Sequence, residues 1–128
     1  MSVESRKHTL LIVEDESSLR MALHDKFLRE GYAVSEARDG EEGLTAALRE
    51  HPDMILLDII MPKMDGMTVL KKLREDAWGK NARVVILTNL GDSKKIETSL
   101  AQGVCEYLVK TDCKIEDIAL KVNEYLRP

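Results

Sequence analysis

Cysteine is scarce: 2 residues in 128, Cys105 and Cys113, set in neither a Cys-x-x-Cys nor a Cys/His spacing. That pattern argues against a zinc centre and reads as two reduced thiols, with Cys105 partly buried beside a strand. No apolar stretch approaches membrane-spanning length. The polar start Ser2-Val3-Glu4-Ser5-Arg6-Lys7-His8 also lacks the apolar region of a signal peptide, so the cytosol is the expected compartment. Positive charge is not in excess either. The net charge is −4, and the densest basic pairs, Lys71-Lys72 and Lys94-Lys95, read as solvated helix faces. A direct nucleic-acid binder needs a basic footprint, and this chain has none. Internal repeats, linkers and low-complexity tracts are absent as well.

What remains is an ordinary globular composition, 44% apolar and 33% charged, in a chain long enough for one self-sufficient core. Four short apolar runs stand out, each ending in a polar residue. Thr9-Leu10-Leu11-Ile12-Val13 leads into Glu14-Asp15, and Met54-Ile55-Leu56-Leu57 into Asp58. Val84-Val85-Ile86-Leu87 leads into Thr88, and Tyr107-Leu108-Val109 into Lys110. Runs this short and this rich in Val, Ile and Leu suit strands buried on both faces of a parallel sheet. Ligands of open α/β sheets bind outside the carboxyl ends of such strands. Three acids, a hydroxyl and an ammonium would share that edge, a set able to hold a hard cation and a phosphoryl group.

Helical spacing separates the strands. Leu19, Ala22, Leu23 and Phe27 mark a first helix, with Ser17 or Ser18 as its expected cap and Gly31 as its stop. Tyr32 to Ala37 alternates as a strand, Asp39-Gly40 turns the chain, and Leu44, Ala47 and Leu48 mark a second helix ending before Pro52. The loop Met61-Pro62-Lys63-Met64-Asp65-Gly66 precedes a third helix capped by Asp65 and carrying Val69, Leu70 and Leu73. Asp76 to Asn81 reads as a loop. Ile96 and Leu100 mark a fourth helix closed by Gly103, and Ile115, Ile118, Ala119, Val122 and Leu126 a fifth. The order βα repeated five times implies a parallel sheet with right-handed crossovers and helices on both faces.

With these residues in place, the chain resembles the response-regulator receiver domain of two-component signalling. The resemblance rests on Glu14-Asp15, Asp58, the loop at residues 61–66, Thr88, and Tyr107 with Lys110. It implies a flavodoxin-like, doubly wound sheet of strand order 2-1-3-4-5 flanked by five helices, with residues 1–8 a polar tail and 9–127 the receiver unit. No output domain is expected before the end at Pro128. By the same resemblance Asp58 is the phosphoacceptor, its carboxylate forming an acyl phosphate. Glu14 and Asp15 are the magnesium pair, Asp15 direct and Glu14 through water, with Asp58 and the Ile60 carbonyl completing the set. Lys110 is the ammonium that pairs with Asp58 when the site is empty and with phosphoryl oxygens when it is loaded. Thr88 donates its hydroxyl to the phosphoryl group, and Tyr107 is the aromatic switch, with a plain core-edge role open beside it. The phosphoryl group comes from a sensor histidine kinase, a phosphotransfer protein or a small donor. The output is a shift of helix four, strand five and helix five toward an unidentified partner or effector domain. Dimerisation through that face stays open. Such a chain is a switch, with self-catalysed phosphoryl acceptance and hydrolysis only, rather than a turnover enzyme. His8, His24 and His51 read as surface residues.

The sequence departs from the family at four positions. Thr111 follows Lys110 where a cis proline is usual; a cis bond before a non-proline costs about 2.5–4 kcal/mol, so the loop is either strained or takes another path. Asn89 replaces a small residue after Thr88, which narrows access. Ile60 and Leu90, flanking the path of hydrolytic water, are both apolar, so slow autodephosphorylation is expected. Other readings fit less well. A haloacid-dehalogenase-type phosphatase needs an acid where Ile60 stands, and a flavin binder would not place Glu14-Asp15-Glu16 at its phosphate loop. A phosphorylation-independent scaffold would leave this set of residues without a purpose.

Overall fold

The computed structural model describes residues 7–89, 97, 98, 101 and 103–127. Five strands and four helices follow in order: β1 (Thr9–Val13), α1 (Ser17–Arg29), β2 (Ala33–Ala37), α2 (Gly40–Glu50), β3 (Met54–Asp58), α3 (Gly66–Arg74), β4 (Val84–Thr88), β5 (Glu106–Val109) and α4 (Ile115–Leu126). The strands form one parallel sheet of order β2-β1-β3-β4-β5. Five helices were expected and four have described bounds. In the stretch assigned to the missing one, residues 97, 98 and 101 are helical, whereas Ile96 and Leu100 lie outside the described residues.

Alternation along the strands builds two core layers, one per sheet face. Leu11, Val13, Ile55, Leu57, Val84 and Ile86 pack with residues of α2 and α3. Leu10, Ile12, Met54, Leu56, Val85 and Leu87 pack with Leu23 and Phe27 of α1 and with Ile118, Ala119, Val122 and Leu126 of α4. Every residue of β3 and β4 is buried, as the unbroken apolar runs require. Each fully buried Leu, Ile or Val side chain stabilises the fold by about 1.5–3 kcal/mol, so these layers are the principal source of stability.

Local signals set the helix starts. The Asp39 carboxylate accepts the Glu42 N–H (2.8 Å) at α2, and Asp65 accepts the Thr68 N–H (2.9 Å) at α3. Neither Ser17 nor Ser18 caps α1. The Glu16 carbonyl already accepts the Arg20 N–H (2.9 Å), which makes Glu16 the cap residue and places both serines inside the helix. Gly31 and Gly103 take the left-handed backbone expected of helix stops, with φ of 93° and 77°. The loop at 76–81 contains a 3-10 turn, Gly79–Asn81, entered where the Asp76 carboxylate accepts the Trp78 and Gly79 N–H groups.

Two side chains clasp distant segments. Arg74 at the end of α3 donates to the carbonyls of Gly79 (2.7 Å), Ala82 (2.9 Å) and Gly103 (3.2 Å). Burial holds its pKa below the usual guanidinium range. Arg74→Met removes a charged donor from three carbonyls and should cost about 1.5–3 kcal/mol, read as a lowered urea midpoint at unchanged m-value. On the other side, the Tyr125 hydroxyl of α4 reaches the Cys105 carbonyl and the Glu106 carboxylate, both at 2.8 Å. The bond to that carboxylate pushes its pKa up to about 12. β5 is thereby fastened to α4. His8, placed in the tail, has its carbonyl bonded to the Ala33 N–H (2.9 Å), so sheet pairing reaches one residue beyond β1.

Candidate functional site

Parallel register brings the polar strand endings to one edge. Val13 lies opposite Leu57, Asp58 opposite Leu87, and Thr88 opposite Val109. The Glu14 N–H continues the ladder to the Ala37 carbonyl (3.0 Å), which turns the Glu14 side chain into the sheet end. Glu14 is buried (1% exposed), as are Asp58 (4%) and Thr88 (0%), while Asp15 is exposed. Oxygens of Glu14, Asp15 and Asp58 all lie within 4.8 Å of one another.

Three carboxylates at that separation repel unless cations intervene. One cation is built in. The Lys110 ammonium lies 2.7 Å from Glu14 Oε1 and 3.4 Å from Asp58 Oδ2. Its nearer partner is therefore Glu14, whereas the resemblance implied Asp58. The other Glu14 oxygen accepts the Glu16 N–H (3.0 Å). Burial and the Glu14 charge raise the Asp58 pKa to about 7, against the opposing pull of Lys110 and the Ile60 N–H that donates to it. Burial also works against the Lys110 ammonium, but the hydrogen bond it donates to Glu14 and the two carboxylate charges outweigh it, and its pKa rises. An all-oxygen donor set of this charge fits a hard divalent cation such as magnesium.

The remaining predicted residues are distributed around this centre. Thr88 ends β4, fully buried, and Tyr107 on β5 is half-buried against the core layer of α2 and α3. Ile60 presents its side chain outward, 49% exposed. Leu90 lies outside the described residues, and Asn89 is exposed. The peptide after Lys110 is not cis. No cis bond occurs among the described residues, and Lys110–Asp112 winds into a 3-10 turn that leads to α4. The loop thus takes another path.

One residue that the sequence did not single out, Arg20, also touches the centre. Arg20 donates from Nη1 to the carbonyls of Glu14 (2.9 Å) and Asp15 (3.4 Å), and from Nε to Glu36 on β2 (3.2 Å). A signal existed. Arg20, Leu23 and Phe27 share the buried stripe of α1, and an arginine on an apolar stripe demands a partner. His24, one turn on, pairs with the other Glu36 oxygen.

Comparison with known proteins bears on this edge. Residues 10–123 match the response regulator receiver domain. Sporulation initiation phosphotransferase F of Bacillus subtilis (strain 168) is 34% identical over 117 residues, spanning 91% of this chain and 92% of that one. A probable transcriptional regulator, ycf27, of Cyanophora paradoxa is 40% identical over 108 residues, covering 84% of this chain but 44% of the relative. This chain therefore spans less than half the length of that relative. Among solved structures, the CheX-CheY-BeF3-Mg+2 complex of Borrelia burgdorferi contains a similar chain, with TM-score 0.87, 29% identity, and coverage of 100% of this chain and 96% of that one. With the strand order, the crowded acids and these matches together, the chain belongs to the response regulator receiver domains of two-component signalling.

Proposed function

We propose that this protein is a phosphorylation-controlled switch in which Asp58 accepts a phosphoryl group with magnesium bound beside it. The observation that carries the reading is the convergence of Glu14, Asp15 and Asp58 within 4.8 Å, with the Lys110 ammonium between Glu14 and Asp58. An Asp58 oxygen attacks phosphorus as the donor's phosphorus–nitrogen bond breaks, and the leaving imidazole takes up a proton. Lys110 lies close enough to pass from carboxylate to phosphoryl oxygens. Thr88, buried at the next strand end, donates its hydroxyl to the same group. Asp15, Asp58 and the Ile60 carbonyl would hold the ion directly. Glu14 would act through water, a division favoured by both its oxygens being engaged already. When bound, magnesium neutralises the crowded carboxylates and the charge that develops on phosphorus.

The added charge acts on β4, β5, α4 and the segment between β4 and β5. Tyr107 turns inward, and the Tyr125–Glu106 fastening between α4 and β5 belongs to the face that changes. Shifting such an equilibrium from 1:99 to 99:1 takes about 5.5 kcal/mol of differential stabilisation, part of which an output partner supplies. The donor is a sensor histidine kinase or a phosphotransfer protein, in keeping with the phosphotransferase among the relatives. Residues 9–127 form the receiver unit. Among the described residues no helix is long and apolar enough to cross a membrane, which accords with a cytoplasmic site of action.

Incubating the protein with acetyl phosphate, with and without magnesium, tests the chemistry. Mass spectrometry should show one phosphoryl adduct in magnesium and none in EDTA or in Asp58→Asn. An adduct on Asp58→Asn would overturn the assignment. Once loaded, the protein should decay slowly, because the exposed Ile60 side chain offers no polar atom to orient water. The double change Ile60→Asn with Leu90→Glu should raise the first-order decay constant, and an unchanged constant would refute the water-path argument.

A further inference from the structure

Arg20 is buried, charged and bonded to backbone in the acidic loop rather than to any of its carboxylates. Such a group is costly to place there. A buried guanidinium is retained only where its donors are satisfied and its position fixed. Here Nη1 grips two consecutive carbonyls, those of Glu14 and Asp15, while Nε is held by Glu36 Oε1. Glu36 lies on β2 opposite Ile12 of β1, and its second oxygen lies against His24, four residues along α1 from Arg20. The chain of contacts therefore runs from the edge strand through α1 to the peptide planes that carry both predicted metal acids.

We infer that Arg20 is a positioning residue for the acid pair, and that Glu36 is the anchor that aims it. This inference rests on the phosphoryl-acceptor reading above. The side chains of Glu14 and Asp15 branch from the two peptides that Arg20 holds, so the direction in which each carboxylate leaves the backbone depends on that grip. Glu14 gains further restraint from Ala37 and Lys110, but Asp15 is exposed, and its peptide is held from behind by Arg20. A planar fork suits this work. It reaches two carbonyls and a carboxylate in fixed directions, which an ammonium on a flexible stem does not. The guanidinium also adds a positive charge at the backbone of the acid pair while bonding to none of its carboxylates.

The test compares wild type with Arg20→Lys, Arg20→Met, Glu36→Ala and Glu36→Gln. Magnesium affinity is measured by calorimetric titration of the unphosphorylated protein, the magnesium concentration giving half-maximal phosphoryl uptake from acetyl phosphate is measured in parallel, and fold stability is followed by urea unfolding. Groups that orient metal ligands from behind usually change metal affinity about 10- to 100-fold when removed. Arg20→Met and Arg20→Lys should both weaken magnesium binding by about that factor. Uptake should recover at saturating magnesium, so that the half-saturation point moves while the maximum stays. Glu36→Ala should weaken binding less, and Glu36→Gln, which keeps an acceptor for Nε, less again. Variants that lose stability but keep wild-type magnesium affinity would reduce Arg20 to a structural clasp and overturn the inference. If Arg20→Met fails to fold, Arg20→Lys and Glu36→Ala decide the matter by the same criterion. A wild-type protein that neither binds magnesium nor takes up phosphoryl would sink the functional reading itself, a result distinct from unchanged affinity in the variants.

Discussion

Replacing Gly66 by alanine should destabilise the protein by about 2 kcal/mol or more and disturb the phosphoryl site together with the fold. A Cβ on Gly66 would sit 2.2 Å from the Asp58 carbonyl oxygen and 2.7 Å from the Ile59 Cα. Both are backbone atoms at the end of a fully buried strand, so neither can swing aside as a side-chain tip would. The Gly66 N–H donates to the Ile59 carbonyl (2.7 Å), which draws the start of α3 against β3. Two effects oppose each other. Alanine in a helix is favoured over glycine by about 1 kcal/mol, whereas overpacking against rigid backbone costs about 1–3 kcal/mol and more where nothing yields. The clash wins here, because relief requires α3 to retreat from Asp58. Gly103→Ala is the control. Its Cβ would meet nothing within 4 Å, so only the left-handed backbone (φ 77°) opposes it, at about 1 kcal/mol. Urea midpoints for the two variants should differ widely. Equal midpoints would show that α3 is not held against the acceptor strand.

Asp58→Asn should abolish phosphoryl acceptance and, in metal-free buffer, make the protein more stable than wild type. Burial and the Glu14 charge hold the folded Asp58 pKa near 7, above its ordinary value of 3.8. Below about pH 4 the carboxyl is protonated in both folded and unfolded chains, and no penalty applies. Between about pH 4 and 7 the unfolded chain releases a proton that the folded one keeps, so wild-type stability falls as pH rises. Above about pH 7 the full cost of holding the charge is present, on the order of 2–4 kcal/mol. Asparagine has no charge to hold. The stability gained by Asp58→Asn in EDTA should therefore be small at pH 4, grow to neutrality and level off. Saturating magnesium should stabilise wild type and shrink the gap, because binding to the folded state alone adds RT ln(1 + [L]/Kd). A gain that is flat with pH, or a loss, would show that the carboxylates at this edge do not strain the fold.

Much of this architecture was legible from residue type and spacing. The apolar runs became β1, β3, β4 and β5 to within a residue; β1, β3 and β4 are buried on both faces and have to be apolar almost throughout, whereas the edge strand β5 buries only Leu108. Asp65 was readable as a helix start, since a short acceptor side chain ahead of a helical stripe meets a local need, whereas Asp39, read as a turn, proved to cap α2 in the same way. Ser17 and Ser18 misled for the same kind of reason. Serine suits a cap wherever the helix begins, and only the hydrogen bond from the Arg20 N–H to the Glu16 carbonyl shows that it begins earlier. Arg20 could be read from the apolar stripe of α1 as needing a partner, but not which one, because its contacts are with the loop after β1 and with Glu36 sixteen residues away.

By itself the chain determined its five strand-forming runs, four of them ending in polar residues, its helix stripes and the chemical types available at the strand ends. All of these follow from near-neighbour preferences and from the periodicity of burial. Only the tertiary structure decided that Lys110 rests nearer to Glu14 than to Asp58, that the loop after it winds into a 3-10 turn, and that Arg20 grips the acidic backbone. These depend on where separate strands and helices stop in space relative to one another. Electrostatic and hydrogen-bond preferences change over fractions of an ångström, a distance that no spacing along a sequence encodes.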